Sequence, residues 1–214
     1  MASPTTIELT RALAPFTVRL VCAPGQREQG QTVLDLVQQL KARGALKDGA
    51  SLRLAGFDLR LRTCTQAQIL EVCEPDFDDD PQHQWRANVS ATLAWVAAQA
   101  SLSSQLGLMG DEVNLHQLVV LADGALGARQ LQALRNKPVD GEDSGWCLMD
   151  AEHEADPDDA NAYTAMSVMN VLRQRPEMGA VLAMPTGCAA AFDGRQLVAL
   201  FDAKGELRWP VSET

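Results

Sequence analysis

The segment VDGEDSGWCLMDAEHEADPDDANAY, Val139 to Tyr163, is a dense cluster, in this 214-residue chain, of residues that could do chemistry. It holds Asp140, Glu142, Asp143, Asp150, Glu152, Glu154, Asp156, Asp158 and Asp159, with His153 among them and neither lysine nor arginine. Such a set could bind a divalent ion, move protons, or present a negative field to a basic partner. It could equally be a solvated loop around Trp146. Zinc needs three or four converging His, Cys, Asp or Glu ligands, often at short helical or hairpin spacing. His83, His116 and His153 are isolated and belong to no HExxH pattern; His153 between Glu152 and Glu154 is the best local set, and solvation explains it better. A second acidic run, DFDDDP, puts Asp76, Asp78 and Asp80 at positions 1, 3 and 5 of a calcium loop. Pro81 then stands where that loop turns on glycine and Ala87 where it needs a bidentate glutamate. No metal and no cofactor is expected.

Nucleophiles fare no better. Ser144 precedes Gly145, but a nucleophile elbow needs G-x-S-x-G between a strand and a helix, and here a strand follows. Asp143-Ser144-Gly145-Trp146 reads more simply as a tight turn, with Asp143 able to accept backbone amides two residues on. Cys188 in PTGCAAAF lies before an apolar run and reads as a small buried residue, since a reactive thiolate wants a base or a helix N-terminus beside it. Neither a P-loop nor a Rossmann fingerprint is present. No catalytic residue is expected.

Composition sets the wider bounds. A chain that is 46% hydrophobic and 21% charged folds, and its length suits one large or two small domains. The net charge of −10 and a pI near 4.7, with no basic stripe, argue against nucleic acid. The acidic excess lies mainly in the second half, where it would speed encounter with a basic partner. Five cysteines without a CxxC spacing read as reduced. A start without a signal-peptide pattern and the lack of an apolar run near 20 residues lead to the expectation of a cytoplasmic protein with no membrane partner.

The elements that must position these residues follow from periodicity. FTVRLVCAP is a strand, QTVLDLVQQLKARG a helix with Val33, Leu36, Val37 and Leu40 on its stripe, and SLRLAGFDLRLR a hairpin bending at Gly56. ILEVCEP is a strand ended by Pro75, and NVSATLAWVAAQASLSSQLGL a long helix. Past Gly110 the pattern restarts. HQLVVLAD and SGWCLM are strands, RQLQALRN a strand or short helix, and NAYTAMSVMNVLRQRP a helix with Tyr163, Met166, Met169, Val171 and Leu172 inward. AVLAMP, CAAAF, QLVALFD and ELRWP are short strands. Trp95, Trp146 and Trp209 are expected in the core. The expected class is α+β: two small domains, 1–110 and 111–214, each a mostly antiparallel sheet packed with one or two helices.

From Leu118 to Phe192 the order of elements resembles a family of bacterial immunity proteins found beside polymorphic or contact-delivered toxins, the thirty-third class of immunity domain. The matching pieces are Leu118–Leu121, Arg135 to Pro138, Asp143–Trp146, Glu152–Asp159, the helix Ala162–Arg173, and Pro185 to Phe192. The Asp-Ser-Gly-Trp tetrapeptide is the most specific of them. RNKP and MDAEHE depart from the family pattern, and the resemblance does not extend to residues 1–110. The resemblance implies a binding protein that occludes the active site of a cognate secreted toxin, with no enzymatic activity of its own. A basic toxin cleft would suit a carboxylate surface made of Asp140, Glu142, Asp150, Glu152, Glu154, Asp156, Asp158 and Asp159. Two other readings stay open: a hydrolase, metal-assisted through the same loop, that reverses the toxin's chemistry, and a scaffold in which the N-terminal half does the binding.

Overall fold

The structure is a computed structural model and describes residues 5–65, 68–108, 110–153, 155–156 and 159–210. It is α+β, with two mixed sheets and three helices. Contacts divide the chain into two compact units, Met1–Ala97 and Ala98–Thr214. The division falls inside a helix, ahead of the loop in which the sequence pattern restarts.

In the first unit, β1 (Ile7–Leu13), β2 (Phe16–Cys22), β3 (Ser51–Leu54), β4 (Phe57–Thr63) and β5 (Ile69–Pro75) form a sheet in the order β1-β2-β5-β4-β3, with the two-residue β6 (Trp85–Arg86) on β5. Every pair is antiparallel except β2 with β5. Ala55 and Gly56, both at positive φ, make the tight turn between β3 and β4. Helix α1 (Arg27–Ala42) buries Val33, Leu34 and Val37 in a core with Leu20, Leu59, Leu61, Leu70 and Val72, while Leu36 and Leu40 pack at its margin. β1 and β6 were not expected. β1 is a polar-outward strand beside a proline turn, and β6 is too short for a period to show.

Helix α2 (Ser90–Leu106) begins on a buried carboxylate. Glu74 accepts the amides of Thr92 at 2.8 Å and Ala91 at 3.4 Å, and Arg86 pairs with it at 2.9 Å. A negative charge there complements the helix dipole and takes up amides that no helical carbonyl reaches. Burial nonetheless pushes the Glu74 carboxyl above its ordinary range. Trp95 is held between Phe57, stacked at 5.5 Å, and Phe77, edge-on at 4.8 Å.

The second unit is a seven-stranded sheet in the order β10-β7-β9-β8-β11-β12-β13. Its strands are β7 (Leu118–Ala122), β8 (Gln130–Arg135), β9 (Asp143–Asp150), β10 (Tyr163–Ser167), β11 (Ala189–Asp193), β12 (Gln196–Phe201) and β13 (Leu207–Trp209). Only β7 with β9 is parallel. Register aligns Leu121, Leu148, Ala133, Ala190 and Leu200 in one row across five strands, each at most 3% exposed. The adjacent row, Val120, Cys147, Leu134, Ala189 and Phe201, lies on the opposite face and is not fully buried. Side chains alternate at a period of two, so one face carries the core and the other stays open.

Two expected elements are corrected. The single helix expected over NAYTAMSVMNVLRQRP is instead the strand β10 followed by helix α3 (Val168–Gln174). Tyr163 and Thr164 suit an edge strand, and β10 pairs along the whole of β7. Ser167 then caps α3, its Oγ accepting the Asn170 amide at 3.4 Å, and Val168, Met169, Val171 and Leu172 are buried. AVLAMP is not a strand. It runs from a 3-10 turn, Pro176–Ala180, into further turns that still bury Val181, Leu182 and Met184. Trp209 is only half-buried. All five cysteines are free thiols. Among the described residues no helix is long and apolar enough to cross a membrane.

Candidate functional site

The site is built on the connection from β8 to β9. Asp143 opens β9 with both carboxylate oxygens engaged: Oδ1 accepts the Gly145 amide at 2.6 Å and Oδ2 the Val139 amide at 2.9 Å. Asp140 Oδ1 accepts the amides of Glu142 and Asp143 at 2.8 and 3.0 Å. Two short aspartates thereby make the bend, each capturing amides two to four residues away. Gln117 donates to the carbonyls of Gly141 and Asp143, and Leu118 to that of Glu142, tying the bend to the start of β7. A cleft of about 310 Å³ lies there, with Gln117, Leu118 and Glu142 among its walls.

Gly145 is required where it stands. It has φ of +76°, and a Cβ there would lie 2.3 Å from the Asn136 carbonyl oxygen, too close for any side chain; Asn136 N also donates to Gly145 O at 2.7 Å. Ser144 is buried, and its Oγ accepts the Trp146 amide at 3.2 Å. Trp146 is buried as expected, its Nε1 donating to Leu182 O at 3.1 Å. The tetrapeptide is thus a turn that places a tryptophan in the core, and its serine hydroxyl serves the backbone.

Opposite Trp146 on β8 sits Arg135, whose guanidinium lies 5.7 Å from the indole centroid. It is 2% exposed, and its Nε and Nη1 have no hydrogen-bond partner among the described residues. Burial pushes its pKa down, against the pull of Asp111 and Asp143. Its backbone is fully used: Arg135 N donates to Cys188 O at 2.9 Å and Gly187 N to Arg135 O at 2.7 Å, which docks the Pro185–Phe192 segment onto β8. Cys188 is buried, and burial raises its thiol pKa. Sequence reading placed Arg135 in a motif without its burial; an arginine alternating with Leu131 and Ala133 on one strand face was the available signal.

The carboxylates beyond β9 separate into two groups. Asp150 Oδ1 accepts the Glu152 amide at 2.9 Å and Oδ2 meets His153 Nδ1 at 3.0 Å, and both contacts hold its carboxyl below the usual range, the amide more strongly. Asp159 Oδ1 accepts the Asn161 amide at 2.9 Å and caps a 3-10 turn. Asp140, Asp143, Asp150 and Asp159 therefore shape the chain. Glu142 and Glu152 are exposed and leave their side chains outward, and Asp156 is exposed too. Glu154 and Asp158 lie outside the described residues.

Asp150, Glu152 and His153 bring one ligand atom each within 4.8 Å of one another. Asp80 makes the same local turn in the first unit, accepting the Gln82 amide at 3.2 Å and meeting His83 Nδ1 at 2.9 Å. Asp-x-x-His is a turn this chain uses twice. The other members of the first acidic run, Asp76 and Asp78, pair with Arg86.

Beside the acidic bend the surface is apolar. Val139 is 90% exposed, and Leu118 and Val120 on β7 are 39% and 38% exposed. On the same open face a shallow hollow of about 230 Å³ is lined by Leu134, Met149, Ala189, Ala191 and Phe201. Glu142 thus lies beside exposed Leu118 at the start of β9, whereas Glu152 and Asp156 follow its far end.

Residues 98–202 fit the model of the Imm33-like domain, a span that covers the bend, the buried Arg135–Trp146 pair and all strands from β7 to β12. Neither curated proteins nor solved structures give a match. The C-terminal half of this chain is thus similar to the Imm33-like domain, with the Asp-Ser-Gly-Trp turn at the head of β9.

Proposed function

We propose that the chain is an immunity protein that binds a cognate secreted bacterial toxin and neutralises it by covering the active site, without catalysis of its own. The match of residues 98–202 to the Imm33-like domain carries this reading. The contact surface is the acidic rim at the two ends of β9, with Glu142 beside exposed Val139 and Leu118 at one end and Glu152 and Asp156 at the other. A toxin with a basic cleft fits it: charge steers the encounter, and desolvated aliphatic side chains supply the buried centre of an interface. A cytoplasmic location accords with this role, and neither nucleic acid nor membrane is a partner in it.

Co-expression with the product of the adjacent gene tests the reading: growth is rescued and the two proteins co-purify at equal stoichiometry. An adjacent product that is harmless, or lethal despite this chain, refutes it. Charge reversal at Glu142 and Glu152 together slows association about tenfold while the fold is kept, because neither side chain serves the backbone. An unchanged rate removes the acidic region from the contact.

A second reading, a metal-assisted hydrolase, draws on the approach of Asp150, Glu152 and His153 within 4.8 Å. Protection at amounts of this chain well below those of the toxin, abolished by Glu152→Gln, would favour it over occlusion.

A further inference from the structure

The first unit holds a cavity of about 430 Å³ whose chemistry departs from the rest of the molecule. Its walls include Asp48, Arg60, Arg62, His83 and Trp85. In a chain of net charge −10 this hollow carries two guanidinium groups against one carboxylate. Small-molecule sites run from about 300 to 1,000 Å³, so the cavity is large enough for a whole ligand and larger than one amino-acid side chain needs.

Part of the wall is held in place by the protein itself. Asp48 Oδ1 accepts the Thr63 amide at 2.6 Å, Gly49 N donates to Leu61 O at 2.8 Å, and Leu61 N to Ala50 O at 2.7 Å, pinning the 48–50 loop onto β4. The Thr63 amide also holds Asp48 below the usual carboxylate range. On the other wall Trp85 is placed by the β5–β6 pairing, and Arg62 Nη1 donates to its carbonyl at 2.9 Å. Arg62 is further shared with Glu71 at 3.5 Å. Arg60, which makes no ion pair among the described residues, lies 5.9 Å from the Trp85 ring centroid. Since Asp80 occupies His83 Nδ1, Nε2 is the ring nitrogen left for a ligand.

Each group restricts what fits. Arg60, with Arg62 and His83 beside it, selects an anionic oxygen cluster. The indole and the planar Arg60 guanidinium select a flat ring system that stacks with them. Asp48 repels a bare anion and demands an N–H or O–H donor on the same molecule. At physiological ionic strength charges beyond about 8 Å are screened, so these groups outweigh the distant acidic excess. We propose that this cavity is a binding site for a nucleoside monophosphate, with the phosphate at Arg60, the base stacked against the Arg60–Trp85 pair and a ribose hydroxyl or base amino group on Asp48. The site belongs to the first unit and stands apart from the toxin-binding reading of the second.

Isothermal titration calorimetry on the full chain tests it with AMP, GMP, CMP, UMP, adenosine, inorganic phosphate and a 5′-phosphorylated decanucleotide. At least one mononucleotide binds at a single site with Kd below about 1 mM, and adenosine and inorganic phosphate bind at least about tenfold more weakly. Arg60→Gln, at an exposed position, weakens that binding at least about tenfold with an unchanged melting temperature. Trp85→Phe, which keeps a ring in place, weakens it less. Absence of heat with all four mononucleotides up to about 5 mM overturns the proposal. So does phosphate binding as tightly as the nucleotides, or Arg60→Gln leaving affinity intact. A decanucleotide binding more tightly than every mononucleotide overturns the free nucleotide as the source.

Discussion

Replacing Arg135 with methionine, and Arg175 with methionine in parallel, separates two buried arginines that a burial measure alone would treat as equals. Arg175 is 6% exposed and richly partnered: it donates to Glu177 at 2.5 Å and to the carbonyls of Ala128 at 2.7 Å and Gly194 at 3.0 Å. Arg135 is 2% exposed, has no acceptor at Nε or Nη1 among the described residues, and faces the indole of Trp146. An unpaired buried ion carries a desolvation cost of several kcal/mol, and a desolvated cation–π contact offsets about 2 kcal/mol of it. Methionine keeps the length and the hydrocarbon packing without the charge. Arg135→Met should therefore stabilise by about 1–3 kcal/mol, whereas Arg175→Met leaves Glu177 and the carbonyls without their donor and should cost about 3–5 kcal/mol. For a chain of this size each kcal/mol shifts the melting temperature by about 2–4 °C. Thermal and urea unfolding of the three proteins read the difference. A lower melting temperature for Arg135→Met than for wild type would refute the reasoning, because the guanidinium would then have a compensating partner in the folded state.

Gly145→Ala is expected to destabilise by about 2 kcal/mol or more, since the added methyl meets the Asn136 carbonyl at 2.3 Å in a backbone conformation costly for L residues; urea midpoints check it. Asp202 is held below the ordinary carboxylate range, first by the Lys204 amide, then by the Glu206 amide and Arg208. Its contribution is complete above the unfolded aspartate range and disappears as pH falls through the lowered folded-state value. Asp202→Asn should therefore lower stability at pH 7 and flatten the acid limb of a stability–pH curve. Cys73 is fully buried and its thiol is pushed up to about 11 by burial, and Cys22 and Cys188 are buried as well. Alkylation at pH 8 with mass-spectrometric readout should mark half-buried Cys64 first and reach Cys73 only in denaturant.

Most strands were legible because their alternation reports one buried face: ILEVCEP coincides with β5, and CAAAF and QLVALFD lie over β11 and β12. The long α2 was legible too, although Gln99 is buried within it through a hydrogen bond to the Gly179 carbonyl that a hydropathy pattern does not carry. The helix expected over Ala162–Arg173 went wrong because Tyr163 and Met166 fit a helical stripe as well as a strand; pairing with β7, roughly 40 residues earlier in the chain, decides between them. AVLAMP misled for a related reason, its apolar residues being buried in turns instead of a ladder. At the site, the roles of Asp143 and Trp146 were readable from local turn chemistry. The division of the acids into turn-makers and outward-facing ones was not, since it depends on which amides each carboxylate meets. Trp85 and Arg60 were invisible as a pair because β4 and β6 meet only across β5.

Helix α2 changes hands along its length. Glu74, from the first unit, secures its opening turn, while Gln99 donates to Gly179 at 2.7 Å and the Leu106 carbonyl accepts from Arg208 at 2.9 Å, both in the second. Residues up to Ala97 contain every strand of the first sheet together with the Glu74 carboxylate that caps α2. The opening turns of α2 thus take their cap from the first unit alone. The last tie, Arg208, is made 102 residues after Leu106. A fragment cut at residue 111 would lack both Gln99 and the Leu106 carbonyl, so the excised domain should be less stable than one that begins at Ser90 and keeps both contacts.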